Sequence, residues 1–262
     1  MFSIQNLLML VKISIYFQSF LLVSSLLIIA PAVQAQTRSI EPLNRHFINI
    51  SPEDSVNVAF LKISTELSDS LKIIRYYDLS NRIIKKETIG YNPDGGYREK
   101  TVQEYDSLGD LVSLHIENLE NQLSITTYYF DGKQVAQSIY EGNGNYSVIR
   151  NGENSPQQLE KNNFTPQLNA SKEEWGKFFN RNFKVNGMRI KEDSQYALIA
   201  VLIDENGNRK EIEVANPHQV EDYFEQKALE LILKWGDNYL PALDPFGNPI
   251  EKWLYIPLQF IR

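Results

Sequence analysis

The sequence contains no cysteine. That excludes a disulfide framework, a thiolate zinc site, a cysteine nucleophile and a lipid-modified N-terminal cysteine. Histidine is scarce: the three are His46, His115 and His218, and their separation fits no metal-ligand spacing. Basic residues are outnumbered, 26 Lys and Arg against 33 Asp and Glu, for a formal net charge of −7. A cationic nucleic-acid footprint is therefore missing. No Gly-x-Ser-x-Gly elbow, phosphate loop, His-Glu-x-x-His or dinucleotide fingerprint occurs. Asp204-x-Asn206-x-Asn208 opens like a calcium loop, but Arg209 stands where the sharp turn needs glycine, so a hairpin turn is the better reading. No two carboxylates can be placed across one cleft. The chain reads as non-catalytic, with no cofactor, no metal and no nucleic acid among its partners. Past residue 35 no run is apolar enough to span a membrane.

The 262 residues are 42% apolar and 11% aromatic, enough for one large or two small globular domains. Phe20–Ala30, FLLVSSLLIIA, is an apolar run of signal-peptide length. Val33-Gln34-Ala35 then places small residues where a signal peptidase reads them. Residues 1–35 are expected to be an export signal cleaved before Gln36. The alternative is an uncleaved anchor, since the apolar character reaches back through Ile13, Ile15, Tyr16 and Phe17. Such a junction in a cysteine-free chain looks like export in a Gram-negative bacterium, to the periplasm. Membrane contact is expected only through that segment, if it is retained.

Residues 36–57 form a lead-in where Pro42 and Pro52 discourage regular structure. Residues 58–150 read as antiparallel β. Runs rich in Ile, Val, Thr and Tyr alternate with Asp/Asn/Gly turn clusters at 79–81, 92–96, 107–110, 131–133 and 142–145. Tyr77-Asp78, Tyr105-Asp106 and Phe130-Asp131 repeat at intervals of 28 and 25 residues. In each unit an aromatic residue ends a strand and Asp opens the turn. The pattern is weakly similar to the aromatic-Gly hairpin repeats of MORN-like and antitoxin-like proteins. The other reading is a plain meander. Residues 151–170, with Pro156, Pro166 and several Asn and Gln, read as a linker.

Residues 171–262 read as α+β. Ser171 and Glu174 form a capping-box pattern ahead of Trp175, Phe178, Phe179 and Phe183 at helical spacing. Tyr196–Ile203, YALIAVLI, suits a central strand. Asp204–Asn208 turns the chain into a second strand, and a helix follows over Val220–Trp235. Trp253–Ile261 is the last strand. Pro257 inside it lacks an N–H and places it at an edge or a bulge.

This order resembles the C-terminal domain of TonB, the periplasmic energy transducer that contacts outer-membrane transporters. The carrying residues are Ala200-Val201-Leu202-Ile203-Asp204-x-x-Gly207, Ala228-Leu229, Pro241-Ala242, Gly247-Asn248-Pro249 and Ile256-Pro257-Leu258-Gln259-Phe260, within Trp175–Arg262. Asn186–Arg189 stand where the family has Tyr-Pro. The family's long Pro-rich spacer is missing, and no histidine lies in residues 1–35, so an ionisable mark of energy coupling is absent. The expected fold is of class α+β: the antiparallel β-repeat domain of residues 58–150, followed by what the resemblance implies for 171–262, two helices packed on a small antiparallel sheet. The resemblance also implies that the last strand takes up an extended segment of an envelope protein, such as an outer-membrane transporter. The partner-binding residues would be Trp253, Leu254, Tyr255, Ile256, Leu258, Gln259 and Phe260. Trp253, Tyr255 and Gln259 share one face, and the even-numbered four face the helices. Trp253 and Tyr255 have a second reading, as a small core under the N-terminal domain. The alternative function is an envelope scaffold that binds through its tyrosine-rich β-repeat surface while the C-terminal domain only dimerises.

Overall fold

The computed structural model describes residues 37–51, 56–183 and 194–261. The expected export segment and the Asn186–Arg189 departure lie outside the described residues. Thr37–Arg262 forms one compact unit. Among the described residues no helix is long and apolar enough to cross a membrane.

The expected α+β class is overturned. Strands account for 52% and helix for 14%, and the dominant element is a long antiparallel sheet rather than a small sheet bearing two helices. That sheet has ten strands in sequential order. They are β1 (Thr37–Leu43), β2 (Phe60–Ser68), β3 (Leu71–Asp78), β4 (Ile83–Asn92), β5 (Tyr97–Tyr105), β6 (Leu111–Asn118), β7 (Ser124–Phe130), β8 (Lys133–Gly142), β9 (Asn145–Arg150) and β10 (Gln157–Leu159). It reaches into both stretches expected to be irregular. Pro42 is tolerated because β1 is an edge strand, where a missing N–H can face away from the ladder. The 151–170 segment carries β10 and β11 (Gln167–Leu168) and buries Phe164 and Pro166.

One turn recurs. Asp78, Asp106, Asp204 and Asp244 each accept two backbone N–H bonds on Oδ1, from the residues two and four places on. Each also closes the turn with its own carbonyl. The fourth residue is Asn81, Gly109, Gly207 or Gly247, all with positive φ. The carboxyls of Asp78 and Asp204 are held below the usual range, first by the backbone donors of Arg82 and Asn208.

The registers give the ten-stranded sheet two unlike faces. The first carries paired charges: Lys62 with Glu41 at 3.0 Å and Lys100 with Glu87 at 3.5 Å across neighbouring strands, and Lys85 with Glu87 at 2.9 Å along β4. Two small cores form on it, one around Leu43, Ile74 and Tyr76 and one around Ala136, Val148 and Phe164. Phe47 stacks on Phe60 at 4.4 Å, and Phe164 stacks on Tyr128 at 4.2 Å.

At the C-terminal end, β12 (Ser194–Ile203) lies between β13 (Arg209–Val214) and β17 (Lys252–Ile261), and the two-residue strands β14 (Tyr239–Leu240), β15 (Ala242–Leu243) and β16 (Pro249–Ile250) precede β17 in the chain. Its near-continuous apolar sequence fits that place: Ala197, Ile199, Ala200, Val201 and Ile203 are fully buried. Helix α1 (Lys172–Asn182) forms the Ser171–Glu174 capping box. Helix α2 (Asp222–Trp235) buries Phe224, Ala228, Leu231 and Ile232 against the sheet. Asn216 is buried and completes β13 with its side chain, donating to the Tyr196 carbonyl at 2.9 Å and accepting from the Leu198 N–H at 2.8 Å.

Candidate functional site

The direction of the backbone groups in β17 follows from β12. The Leu198 carbonyl accepts from Ala215, and its N–H donates to Asn216, so even-numbered residues of β12 point toward β13. Odd-numbered ones point toward β17. Ile199 pairs with Ile256 and Ala197 with Leu258, in unbroken antiparallel register. Even-numbered β17 residues therefore spend their N–H and C=O on β12. The N–H and C=O groups of Trp253, Tyr255, Gln259 and Ile261 point to the outer edge, together with the C=O of Pro257. No described strand pairs with that edge. Pro257 sits at an outward position, where its lack of an N–H costs the internal ladder nothing.

The candidate binding residues divide accordingly. Ile256, Leu258 and Phe260 are buried in the helix-facing core and Leu254 packs against it. Their part in any binding is confined to shaping the strand. Tyr255 and Gln259 are exposed, and Trp253 is half-buried.

Trp253 and Tyr255 also meet a segment that sequence reasoning left as lead-in. His46 sits edge-on to Trp253 at 4.8 Å and to Tyr255 at 5.6 Å. Its Nδ1 lies 3.1 Å from the Tyr255 hydroxyl, and its Nε2 is hydrogen-bonded to Glu213. Arg45 lies over the Trp253 ring at 5.0 Å, donates to Glu213 at 2.6 Å and reaches Glu211 at 3.1 Å. Asn44 donates to the Ala215 carbonyl at 2.8 Å. The register explains the convergence. Ala200 pairs with Glu213 on one side and Tyr255 on the other; Leu202 does the same with Glu211 and Trp253. All these side chains therefore share one face, with the small Ala200 at its centre. Partial burial pushes the Glu213 carboxyl up, but Arg45 and His46 outweigh it and hold it below the ordinary carboxylate range. His46 looked isolated because its partner lies 167 positions away. The one available signal was the alternation Glu211-x-Glu213 opposite Trp253-x-Tyr255.

Lys252, at the start of β17, donates to the Phe164 carbonyl at 2.9 Å and ties the strand to the segment whose Phe164 packs on the ten-stranded sheet. One face of β17 is thus core and the other is partly clamped, while the main-chain row along its outer side is unpaired among the described residues.

The long edge strands differ in how they are protected. β1 carries Arg38, Glu41 and Pro42, and β10 is three residues long. β13 carries Arg209, Lys210, Glu211 and Glu213. In β17 the ionisable residue at the start is Lys252, and nine uncharged residues follow, interrupted by Pro257. Charge, brevity and proline are the usual guards against unwanted strand pairing. Beyond Lys252, β17 has proline alone.

Among the described residues no three His, Asp or Glu side chains are grouped so that they could hold a metal ion. The Asp204 carboxylate is taken up by its own turn. No family model, curated protein or solved structure matches this chain.

Proposed function

We propose that this is a non-catalytic, exported cell-envelope protein that binds a partner by adding an extended segment of it to the outer edge of β17. The observation that carries this reading is the contrast between edges, with β17 the long edge strand whose one Lys, Arg, Asp or Glu among the described residues, Lys252, sits at its first position. The resemblance of residues 175–262 to the TonB C-terminal domain supports a protein of the outer envelope, such as a transporter, as that partner. The apolar run before Ala35 supports the periplasm as the place of action. Binding is main-chain directed, with Trp253, Tyr255 and Gln259 beside the added strand and Ile256, Leu258 and Phe260 holding the edge in place.

Backbone direction supplies the test. Proline at Tyr255 or Gln259 removes an outward N–H and leaves the β12 ladder whole; proline at Ile256 or Leu258 breaks that ladder. A photo-crosslinker placed at Pro257 of the full chain should capture an envelope partner in cells. Gln259→Pro should abolish the adduct while circular dichroism and melting stay near wild type; Tyr255→Pro should abolish it too, with native circular dichroism but a lower melting temperature, because it also removes the hydroxyl that meets His46. An undiminished adduct in both folded variants would overturn the assignment.

A further inference from the structure

The second face of the ten-stranded sheet differs from the first in chemistry and in cover. Cross-strand partners run along it from Ile73 through Thr88, Thr101, Ile116 and Ile125 to Ile139. The next row runs from Arg75 through Lys86, Gln103, Leu114 and Thr127 to Gln137. Both buried clusters of the sheet lie on the first face, and none forms on the second among the described residues. A sheet face that is mostly Ile, Leu, Thr and Gln is normally buried against another layer.

We infer that this face is the dimerisation surface of the protein, packed against the same face of a second copy. Area and self-complementarity argue for that occupant. Ten strands about 4.8 Å apart, with about seven residues each at about 3.3 Å, present roughly 1,000 Å², above the approximately 800 Å² per partner of a standard interface. A two-fold axis parallel to the strands, passing between β5 and β6, brings β3 over β8, β4 over β7 and β5 over β6 of the other copy. Ile73 then faces Ile139, Thr88 faces Ile125 and Thr101 faces Ile116. In the next row the cations Arg75 and Lys86 face the neutral Gln137 and Thr127. A two-fold perpendicular to the strands would instead lay β3 on β3 and β4 on β4, crowding the cations Arg75 and Lys86 near their own counterparts, which like-charge repulsion disfavours. The product is a two-layer β-sandwich, the usual way an open sheet buries one face. This surface is separate from the β17 edge, so dimerisation and partner capture are independent of each other.

The chain has no cysteine, which makes disulfide trapping clean. Ile73→Cys and Ile139→Cys variants of the full chain, mixed and oxidised, should give a disulfide heterodimer in higher yield than either alone. A Glu117→Cys control on the charged face should give none. Sedimentation of the wild type should report a dimer, and Thr101→Lys should shift it toward monomer with unchanged circular dichroism. A wild-type monomer at about 100 μM, above the micromolar Kd of weak interfaces of this area, would overturn the proposal and leave the face to the chain's first 36 residues or to another protein. So would a dimer indifferent to Thr101→Lys with no preferential trapping.

Discussion

His46 and Glu213 meet through a hydrogen bond that spans 167 positions of sequence and pins the segment after β1 to the C-terminal sheet. The imidazole is buried between the rings of Trp253 and Tyr255. A hydrogen bond to a charged group contributes about 1.5–3 kcal/mol, and losing one partner leaves the other desolvated. His46→Ala should therefore lower unfolding stability by about 2–3 kcal/mol, read as a shift in urea midpoint. Arg45→Ala removes two more exposed pairs and one ring contact, and should cost about 1 kcal/mol. A double-mutant cycle of His46→Ala with Glu213→Gln should show coupling of about 1–2 kcal/mol. Additive effects would mean that the clamp is ornamental.

Acid should weaken the fold through Glu87 in particular. This carboxylate is buried on the charged face and holds Lys85 at 2.9 Å, Lys100 at 3.5 Å and the Tyr76 hydroxyl at 2.9 Å. Burial raises its pKa, but the two lysines and Tyr76 outweigh that and leave it below the ordinary 4.5. A group with a depressed folded pKa binds protons more readily in the unfolded chain. Its stabilisation is complete above the unfolded value and is lost as pH falls through the folded one. Glu41 and Glu213 shift the same way. Unfolding free energy should be flat from pH 7 to about 5 and fall steeply below 4.5. Glu87→Gln should make that fall shallower while costing about 2 kcal/mol at pH 7.

The turns and the sequence of β12 made much of the strand order legible. Asp with Asn or Gly three places on names four of the turns, and YALIAVLI names the buried central strand. Other parts were hidden for physical reasons. β1 was masked by Pro42, which an edge strand tolerates. Phe164 stands among Asn, Thr and Pro and finds its partner, Tyr128, 36 positions earlier. The size of the ten-stranded sheet was obscured because its first face is built from paired charges rather than apolar alternation, so the two helices weighed too heavily in the reading of class. At the candidate site the outward edge of β17 was legible from Pro257. The Arg45–His46 clamp was not, because the alternation of Glu211 and Glu213 opposite Trp253 and Tyr255 marks one face of the sheet but not the distant segment that covers it.

Two glycines at the same place in the recurrent turn should respond differently to alanine. Gly207 has φ +81° and Gly247 has φ +90°, so both substitutions force a left-handed residue at about 1–2 kcal/mol. A Cβ on Gly207 would also lie 2.6 Å from the Tyr239 carbonyl oxygen, a backbone atom. On Gly247 the nearest atoms, at 3.7 Å, belong to the Arg150 side chain. Gly207→Ala should therefore be the more destabilising by at least about 1 kcal/mol, measured by urea unfolding of the two variants side by side. Equal losses would show that the close approach of the β14 strand (Tyr239–Leu240) to this turn relaxes without cost.

Asn216 offers the sharpest test of how β12 is held. Its amide serves the Tyr196 carbonyl and the Leu198 N–H together, where β13 has already ended. Asn216→Ala strands both backbone groups in a buried setting, at about 1–3 kcal/mol each. Asn216→Asp keeps an acceptor for Leu198 but turns a carboxylate oxygen toward the Tyr196 carbonyl, and burial adds the cost of an unpaired charge. The aspartate variant should consequently be the less stable of the two at pH 7 and recover at pH 4, opposite in sign to the acid response of Glu87. Amide exchange at Leu198 supplies the local readout: protection should collapse in the alanine variant and persist in the folded fraction of the aspartate one. If both variants kept wild-type protection at Leu198, the side chain would not be the group that closes this end of the strand.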